Sequence, residues 1–243
     1  MKYRPEISYA LNQCGACLTF PTEKLYRCLE RILVYLGRTR ATGTTFTNVG
    51  ETKRLHAYAH SNWSVTRSTT GFVIFLGNGA IAHTSRRQHC ITMSSCEAEL
   101  VALADLSIEL LYIIALLEFI GYEHDGEVEV NTDNKGAYDL CHRFTSAANS
   151  RHVDRKLFKM RELRGAGVVK VNHVPTELNP ADLFTKVLSR QSFEKHRRHV
   201  LNLDAAEAVA VAVRARRQLE ASSAEKGGAT VSHQKKKKMG YKA

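Results

Sequence analysis

The sequence contains no aspartate or glutamate between Thr52 and Cys96, although the chain of 243 residues carries 24 acidic residues. A site built from carboxylates must therefore take them from the rest of the chain. Uninterrupted apolar runs are also short, and none approaches the roughly 18 residues that a membrane span needs. The N-terminus lacks the apolar segment of a secretory signal. These absences predict an intracellular protein without a membrane partner, and they leave nucleus or cytoplasm open.

The six cysteines do not form the paired motifs of a zinc site. Cys14 and Cys17 have the spacing of a redox motif, but no strand precedes them and no second pair follows. The other cysteines are scattered along a chain without a signal peptide, which favours free thiols in a reducing compartment. We interpret the Cys14–Cys17 spacing as coincidence.

Composition predicts a globular domain with extensions. Apolar residues make up 44% and charged residues 24% of the chain, which is ordinary for a folded protein. The net charge of +11 is carried by residues after position 150, where lysine and arginine dominate. Such a basic half suits a polyanion, most often a nucleic acid, although a solvated charged surface explains the charge equally well.

Hydrophobic periodicity divides the chain into a helical start and a mixed α/β middle. Thr22 is a candidate cap for a helix whose apolar stripe ends before Gly37, and this helix must pack on the rest of the chain or on a part no longer present. Three short strand-like runs follow between residues 55 and 84, with turn chemistry at Gly71 and at 77–79. A long, largely buried helix is predicted from Ser95 to Phe119.

The second half alternates helices and strands. Runs at 128–132 and 168–174 are typical of strands, a short helix is predicted at 135–141, and Asn179 with Pro180 is a typical helix start. The fold class is therefore α/β, a mixed five-stranded sheet flanked by helices. A helical stretch over 205–221 precedes a polar, lysine-rich tail that we expect to be disordered.

A basic helix is predicted at 152–164, and its cations are candidates for nucleic-acid binding. Phosphate contacts position a protein on nucleic acid through lysine and arginine. The candidate residues are Lys156, Lys159, Arg161 and Arg164. The run of four lysines at 235–238 is a weaker candidate, because a solvated run is the commoner case.

Three carboxylates lie where this fold would gather them. Asp133 follows a strand, at the end where open α/β sheets present their chemistry, but it also suits a helix cap. Glu99 lies on the apolar side of the long helix and needs a partner there, such as a metal ion or the free amides of a helix start. Asp182 comes three residues after Asn179, where an acid is also favoured by the helix dipole.

These residues belong to motifs that resemble the RNase H region of copia-type LTR retrotransposon Pol polyproteins. The order and spacing match over about residues 54–203, and residues 4–36 resemble the end of the reverse transcriptase. The motifs are 58–63, 67–73, Ser94-Ser95-Cys96-Glu97-Ala98-Glu99, Thr132-Asp133-Asn134, 150–154 and 175–186.

The resemblance implies an RNase H-like fold that hydrolyses the RNA strand of RNA–DNA hybrids. It implies two Mg²⁺ ions held by a carboxylate cluster, and Glu99, Asp133 and Asp182 match three members of that cluster. It also implies three parts: residues 1–50 as the end of a reverse transcriptase, 51–203 as the RNase H-like domain, and 204–243 as an unrelated basic tail. The expected partners are RNA–DNA hybrid or other nucleic acid, and the upstream reverse transcriptase.

The fourth member of the cluster departs from the family pattern. The family has aspartates where this chain has His60 and Asn62, and the loop from Trp63 to Arg67 is shorter than usual. No acid elsewhere in the first three strands can substitute. Mg²⁺ prefers charged oxygen ligands, so we expect weakened metal binding and impaired catalysis. The alternatives are a non-catalytic nucleic-acid-binding module and an inactive transposon relic.

Overall fold

The computed structural model describes residues 3–47, 53–142, 159–214 and 216–217. Contacts within the chain group Met1–Asn202 in one compact unit and Leu203–Ala243 in another. Within the second unit, residues 203–214 are helical. The predicted tail beyond residue 221 lies outside the described residues, and the three predicted parts of the chain stay predictions.

The first unit is built on a mixed sheet of five strands in the order β3-β2-β1-β4-β5. The pairs β1 with β2 and β2 with β3 are antiparallel, whereas β1 with β4 and β4 with β5 are parallel. The predicted fold class is therefore confirmed. The strands are β1 (Leu55–Asn62), β2 (Thr69–Leu76), β3 (Gly79–Arg87), β4 (Val128–Thr132) and β5 (Val169–His173).

Glycines shape the antiparallel half of the sheet in two ways. The predicted hairpin between β2 and β3 turns at Gly77, whose φ of 59° is easily adopted only without a side chain. Gly71 was expected to form a turn as well, but it lies inside β2 opposite His60. Its role is close packing, because an added Cβ would lie 2.5 Å from Thr185 Cγ2 and 2.7 Å from Phe184 Cβ.

The long helix α3 (Ser95–Phe119) covers one face of the sheet. Ser94 caps it by accepting a hydrogen bond from the backbone of Glu97, and the apolar side chains pack on β1 and β2. The uninterrupted apolar runs of this helix are short, as the sequence shows, but by length and average composition the helix is apolar enough to cross a membrane. Its most apolar 18 residues have a mean hydropathy of 2.3, since scattered polar residues barely lower the average. Over half of that window, 56%, is buried inside the protein, as in the core helix of a folded domain.

Shorter helices complete the layers around the sheet. The predicted Thr22 cap is confirmed, and the helix it starts packs beside the rest of the chain through Tyr35, which contacts Glu6 and Arg197. The helix α6 was not predicted from the sequence. The helices are α1 (Ser8–Gly15), α2 (Glu23–Arg38), α4 (Lys135–His142), α5 (159–165) and α6 (Arg190–Leu201).

The segment after β5 forms 3₁₀ turns rather than the predicted α-helix. Asn179 caps the second turn, Pro180–Phe184, by accepting a hydrogen bond from the backbone of Ala181. Leu183 and Phe184 join a second apolar cluster with Val73, Phe75, Ala80 and Val200, on the face of the sheet away from α3. This packing presses the turn against β2 and brings Asp182 to the end of β1.

Candidate functional site

Four predicted site residues come together at one end of the central strands. His60 is near the end of β1, and Asp133 directly follows the parallel neighbour β4. Glu99 reaches the same point from the second turn of α3, and Asp182 from the 3₁₀ turn. Residues separated by up to 122 positions in the sequence therefore meet in one cluster of polar side chains.

The imidazole of His60 lies among the three carboxylates. Its Nδ1 is 2.9 Å from Glu99 Oε1 and 3.1 Å from Asp133 Oδ1, while its Nε2 is 3.3 Å from Asp182 Oδ1. Only 13% of the histidine side chain is exposed, and the three carboxylates are more buried still. The ring therefore contacts every carboxylate that was predicted to hold the metal.

The electrostatics of the site follow from this arrangement. Burial would lower the pKa of His60, but the hydrogen bonds and charges of Asp133 and Glu99 outweigh it and raise the pKa to about 10. Burial opposes ionisation of Asp133, yet His60 and Asn179 lower its pKa to about 2. For Glu99 burial dominates, and its pKa is raised. At neutral pH the histidine is thus a cation held by carboxylates.

Glu99 is held in place by three donors. The backbone N–H of Ser61 donates to its Oε1 at 2.7 Å, and the hydroxyl of Thr132 donates to its Oε2 at 3.4 Å. The third donor is His60 Nδ1. A carboxylate satisfied in this way fixes the orientation of the imidazole, which is how outer-shell acids act on metal-ligating histidines.

Asn179 links the elements that form the site. The sequence predicted only its role as a helix cap. Its fully buried side-chain amide donates to the carbonyl of Ala59 at 3.0 Å and to Asp133 Oδ1 at 3.1 Å. Its own side-chain oxygen accepts from the backbone of Ala181. One side chain therefore joins β1, the end of β4 and the 3₁₀ turn.

Asp182 presents two different oxygens. Its Oδ2 pairs with Lys186 at 2.8 Å, a contact that the four-residue spacing in the sequence could have suggested. Its Oδ1 is buried and, among the described residues, accepts no hydrogen bond of good geometry, although His60 Nε2 faces it. The pair of His60 Nε2 and Asp182 Oδ1 is the least satisfied part of the site.

The donor set fits a metal ion, but it does not fit a pair of Mg²⁺ ions. Ligand atoms of His60, Asp133 and Asp182 lie within 4.8 Å of one another, which is the spacing of a single ion site. Glu99 does not belong to that group. Mg²⁺ requires near-octahedral oxygen coordination, and here a ring nitrogen takes one oxygen from each carboxylate.

The predicted nucleic-acid-binding residues have different surroundings. Arg161 donates to the carbonyl of Leu140 and Arg164 to that of Cys141, so both guanidinium groups satisfy the last turn of α4. Lys159 pairs with Glu162 on the surface. Lys156 lies outside the described residues. The nucleic-acid-binding role of all four stays a prediction.

The amino-acid sequence is similar to retrovirus-related Pol polyproteins of plant transposons. It is 34% identical over 195 residues to the polyprotein from transposon RE1 of Arabidopsis thaliana, a match that covers 79% of this chain. It is 33% identical over 201 residues to the polyprotein from transposon RE2 of the same plant, covering 81% of this chain. The chain spans only 13% and 14% of the length of these relatives. No protein-family model matches it.

Solved structures of ribonucleases H1 are also similar. RNase H1 from Halobacterium salinarum is 20% identical with a TM-score of 0.41, covering 54% of this chain and 94% of that one. LC11-RNase H1, solved in complex with an RNA/DNA hybrid, is 18% identical with a TM-score of 0.44, covering 58% of this chain and 98% of that one.

Proposed function

Since the chain is homologous to one segment of the retrovirus-related Pol polyproteins of plant transposons, as its motifs predict, and forms an RNase H-like domain, we propose that it binds RNA–DNA hybrids but cleaves them poorly. The observation that carries this proposal is the position of His60. Its imidazole contacts Glu99, Asp133 and Asp182 at once. The carboxylates are present, but the histidine engages the oxygens that Mg²⁺ would need.

The expected impairment has two physical causes. An imidazole nitrogen is a poor ligand for Mg²⁺, which binds hard, charged oxygens. A protonated imidazole also repels a second cation placed beside it. Both causes act before any chemical step, because they weaken the binding of the ions that would generate and stabilise the reacting oxygens.

Cleavage of an end-labelled RNA–DNA hybrid in Mg²⁺ tests the proposal. The unmodified chain should cleave slowly or not at all. The variant His60→Asp should gain at least about tenfold, because it returns a charged oxygen ligand to a site whose other acids are present. Circular dichroism of each variant separates lost folding from lost activity.

Asn62→Asp is the matched control. The family has an aspartate there too, and Asn62 lies two residues further along β1, on the same face of the strand but exposed at its end. This control should gain little. Robust Mg²⁺-dependent cleavage by the unmodified chain would contradict the impairment, and the absence of rescue in a folded His60→Asp variant would move the defect to the short loop after Trp63.

Hybrid binding is proposed for the basic part of the domain. Lys156 and Lys159 are the candidates for phosphate contact, and Arg161 and Arg164 support them while they stabilise α4. Residues 1–50 are proposed as the end of a reverse-transcriptase-like part. The described portion of that segment contacts the domain through Asn12, which hydrogen-bonds with Ser85 on β3.

A further inference from the structure

We propose that the site built on His60, Asp133 and Asp182 binds one borderline divalent ion such as Zn²⁺, in preference to Mg²⁺. The inference rests on the proposed site but not on nuclease activity. Nitrogen and oxygen donors together are typical of zinc sites, whereas oxygen donors alone are typical of magnesium sites. The histidine at the position of the family's aspartate then changes which metal ion the site prefers, rather than only weakening the binding of metal ions.

The orientation of the imidazole determines which ring nitrogen can bind an ion. Glu99 Oε1 and Asp133 Oδ1 both lie against Nδ1, at 2.9 and 3.1 Å, so the hydrogen on Nδ1 is held by carboxylates. The nitrogen available to an ion is therefore Nε2. A histidine that donates from one ring nitrogen to a carboxylate and binds metal through the other is a common zinc arrangement.

The carboxylate of Asp182 is the group that faces Nε2. Asp182 Oδ1 lies 3.3 Å from it, is buried, and accepts no hydrogen bond of good geometry within the part of the chain that the structure describes. A buried carboxylate oxygen without such a bond is costly, and an ion would satisfy it. Two ligands of one tetrahedral zinc lie at a similar separation, since each is about 2.0–2.2 Å from the metal.

The remaining protein ligand comes from Asp133, and Lys186 balances part of the negative charge of the site. Asp133 belongs to the same 4.8 Å group, and because its Oδ1 already accepts the hydrogen of Nδ1, its other carboxylate oxygen is the further ligand. Three protein ligands leave the fourth zinc position open. Lys186 already neutralises the other oxygen of Asp182. On binding, the ion takes the place of the hydrogen on Nε2, which leaves as a proton to solvent.

In this arrangement Glu99 is a positioning residue rather than a ligand. It lies outside the group of converging ligand atoms, and it is held by Ser61 and Thr132. Glu99→Gln should therefore weaken Zn²⁺ binding about 10- to 100-fold without abolishing it, the range seen for outer-shell partners. If a folded Glu99→Gln protein no longer bound one Zn²⁺ per chain, Glu99 would instead be a ligand.

Calorimetric titration of the metal-stripped full chain, without nucleic acid, tests the preference. Zn²⁺ should bind at this site at least about 100-fold more tightly than Mg²⁺. His60→Gln and Asp182→Asn should each lose one bound Zn²⁺. His89→Gln is the matched control, because His89 is exposed and is not a member of the ligand group, and it should keep the ion. His60→Asp should reduce the ratio of the Zn²⁺ affinity to the Mg²⁺ affinity at least about tenfold.

Co²⁺ serves as a second probe that does not depend on variants folding. Its visible spectrum in the unmodified chain should report nitrogen and oxygen ligands without the charge-transfer band of a thiolate, since no cysteine among the described residues is a member of the ligand group. A thiolate band, Zn²⁺ retained by folded His60→Gln, or Mg²⁺ bound as tightly as Zn²⁺ would each overturn the inference. Cleavage is not measured here, so a failed metal preference leaves the proposed function standing.

Discussion

At the residue scale, the buried imidazole of His60 balances two opposed effects. Removal from water disfavours its charged form, whereas the adjacent carboxylates of Glu99 and Asp133 favour it, and the carboxylates win. The raised pKa means that the folded protein holds this proton more tightly than the unfolded chain does. The stabilisation is therefore complete below about pH 6.5 and is lost as the pH rises towards 10.

The raised pKa of His60 predicts that the unmodified chain and His60→Gln differ in their free energy of unfolding by an amount that depends on pH. In the presence of a chelator, the free energy of unfolding of the unmodified chain should exceed that of the variant most at pH 6. The excess should shrink by about 1–4 kcal/mol between pH 6.5 and 10. Urea denaturation of both proteins measures it, and because lysines and tyrosines titrate in both, only the difference is used. A difference that stays constant would mean that His60 is neutral in the folded protein.

Some site residues can be predicted from the sequence and others cannot. Glu99, Asp133 and Asp182 belong to local motifs, and the departure at His60 is visible as a missing acid. That the imidazole turns inwards to contact all three carboxylates depends on side-chain packing, which no spacing encodes. The bridging role of Asn179 is hidden for the same reason, because its partners Ala59 and Asp133 are 120 and 46 residues away.

At the element scale, the contact between β2 and the 3₁₀ turn Pro180–Phe184 positions Asp182. Gly71→Ala should disturb it, since the added Cβ would overlap Thr185 and Phe184. We expect a loss of about 1–3 kcal/mol in stability, typical of overpacking, together with weaker metal binding. Thermal unfolding and the Zn²⁺ titration measure the two effects.

Gly37→Ala is the control for this prediction. A Cβ at Gly37 would meet nothing within 4 Å, and the residue lies inside α2. Alanine favours a helix over glycine, so the control should be neutral or more stable by about 0.5–1 kcal/mol. Equal behaviour of the two variants would show that the turn can move away from β2 at no cost.

The elements themselves were predictable where the local signal is strong. The capped α2, the hairpin at Gly77 and the apolar α3 all have such signals, and all are present. The helix α6 was missed because its polar and basic residues hide a short apolar face, which packs only once Phe184 and Val200 meet. The turn after Asn179 is 3₁₀ rather than α because tertiary packing against β2 sets its geometry.

At the scale of the whole molecule, the uneven charge predicts salt-dependent association with hybrids. For the full chain, the logarithm of the binding constant should fall linearly with the logarithm of salt concentration and depend little on sequence. Combined Lys156→Ala and Lys159→Ala should reduce the slope by about two, one for each phosphate contact. Fluorescence anisotropy with a labelled hybrid over a salt series measures it.

The lysine run at 235–238 provides the comparison. Replacing those four lysines with alanine should leave the slope unchanged if the domain binds the hybrid by itself. The opposite result, with the slope following the tail and not Lys156 and Lys159, would assign the binding to the tail. The overall α/β architecture was predictable from the sequence. Whether the cations of the domain or those of the tail bind the hybrid was not predictable, because net charge does not say which cations face a ligand.

The bridge made by Asn179 also dictates when the site can exist during synthesis. Chains emerge from the ribosome N-terminus first, and β1 with His60 is made some 120 residues before the Asn179 amide that ties it to Asp133. A nascent chain ending before residue 176 contains all five strands but neither the tie nor Asp182. Synthesis therefore completes the five strands before it supplies the two residues that finish the site, so a chain truncated in that interval should lack the proposed ion binding.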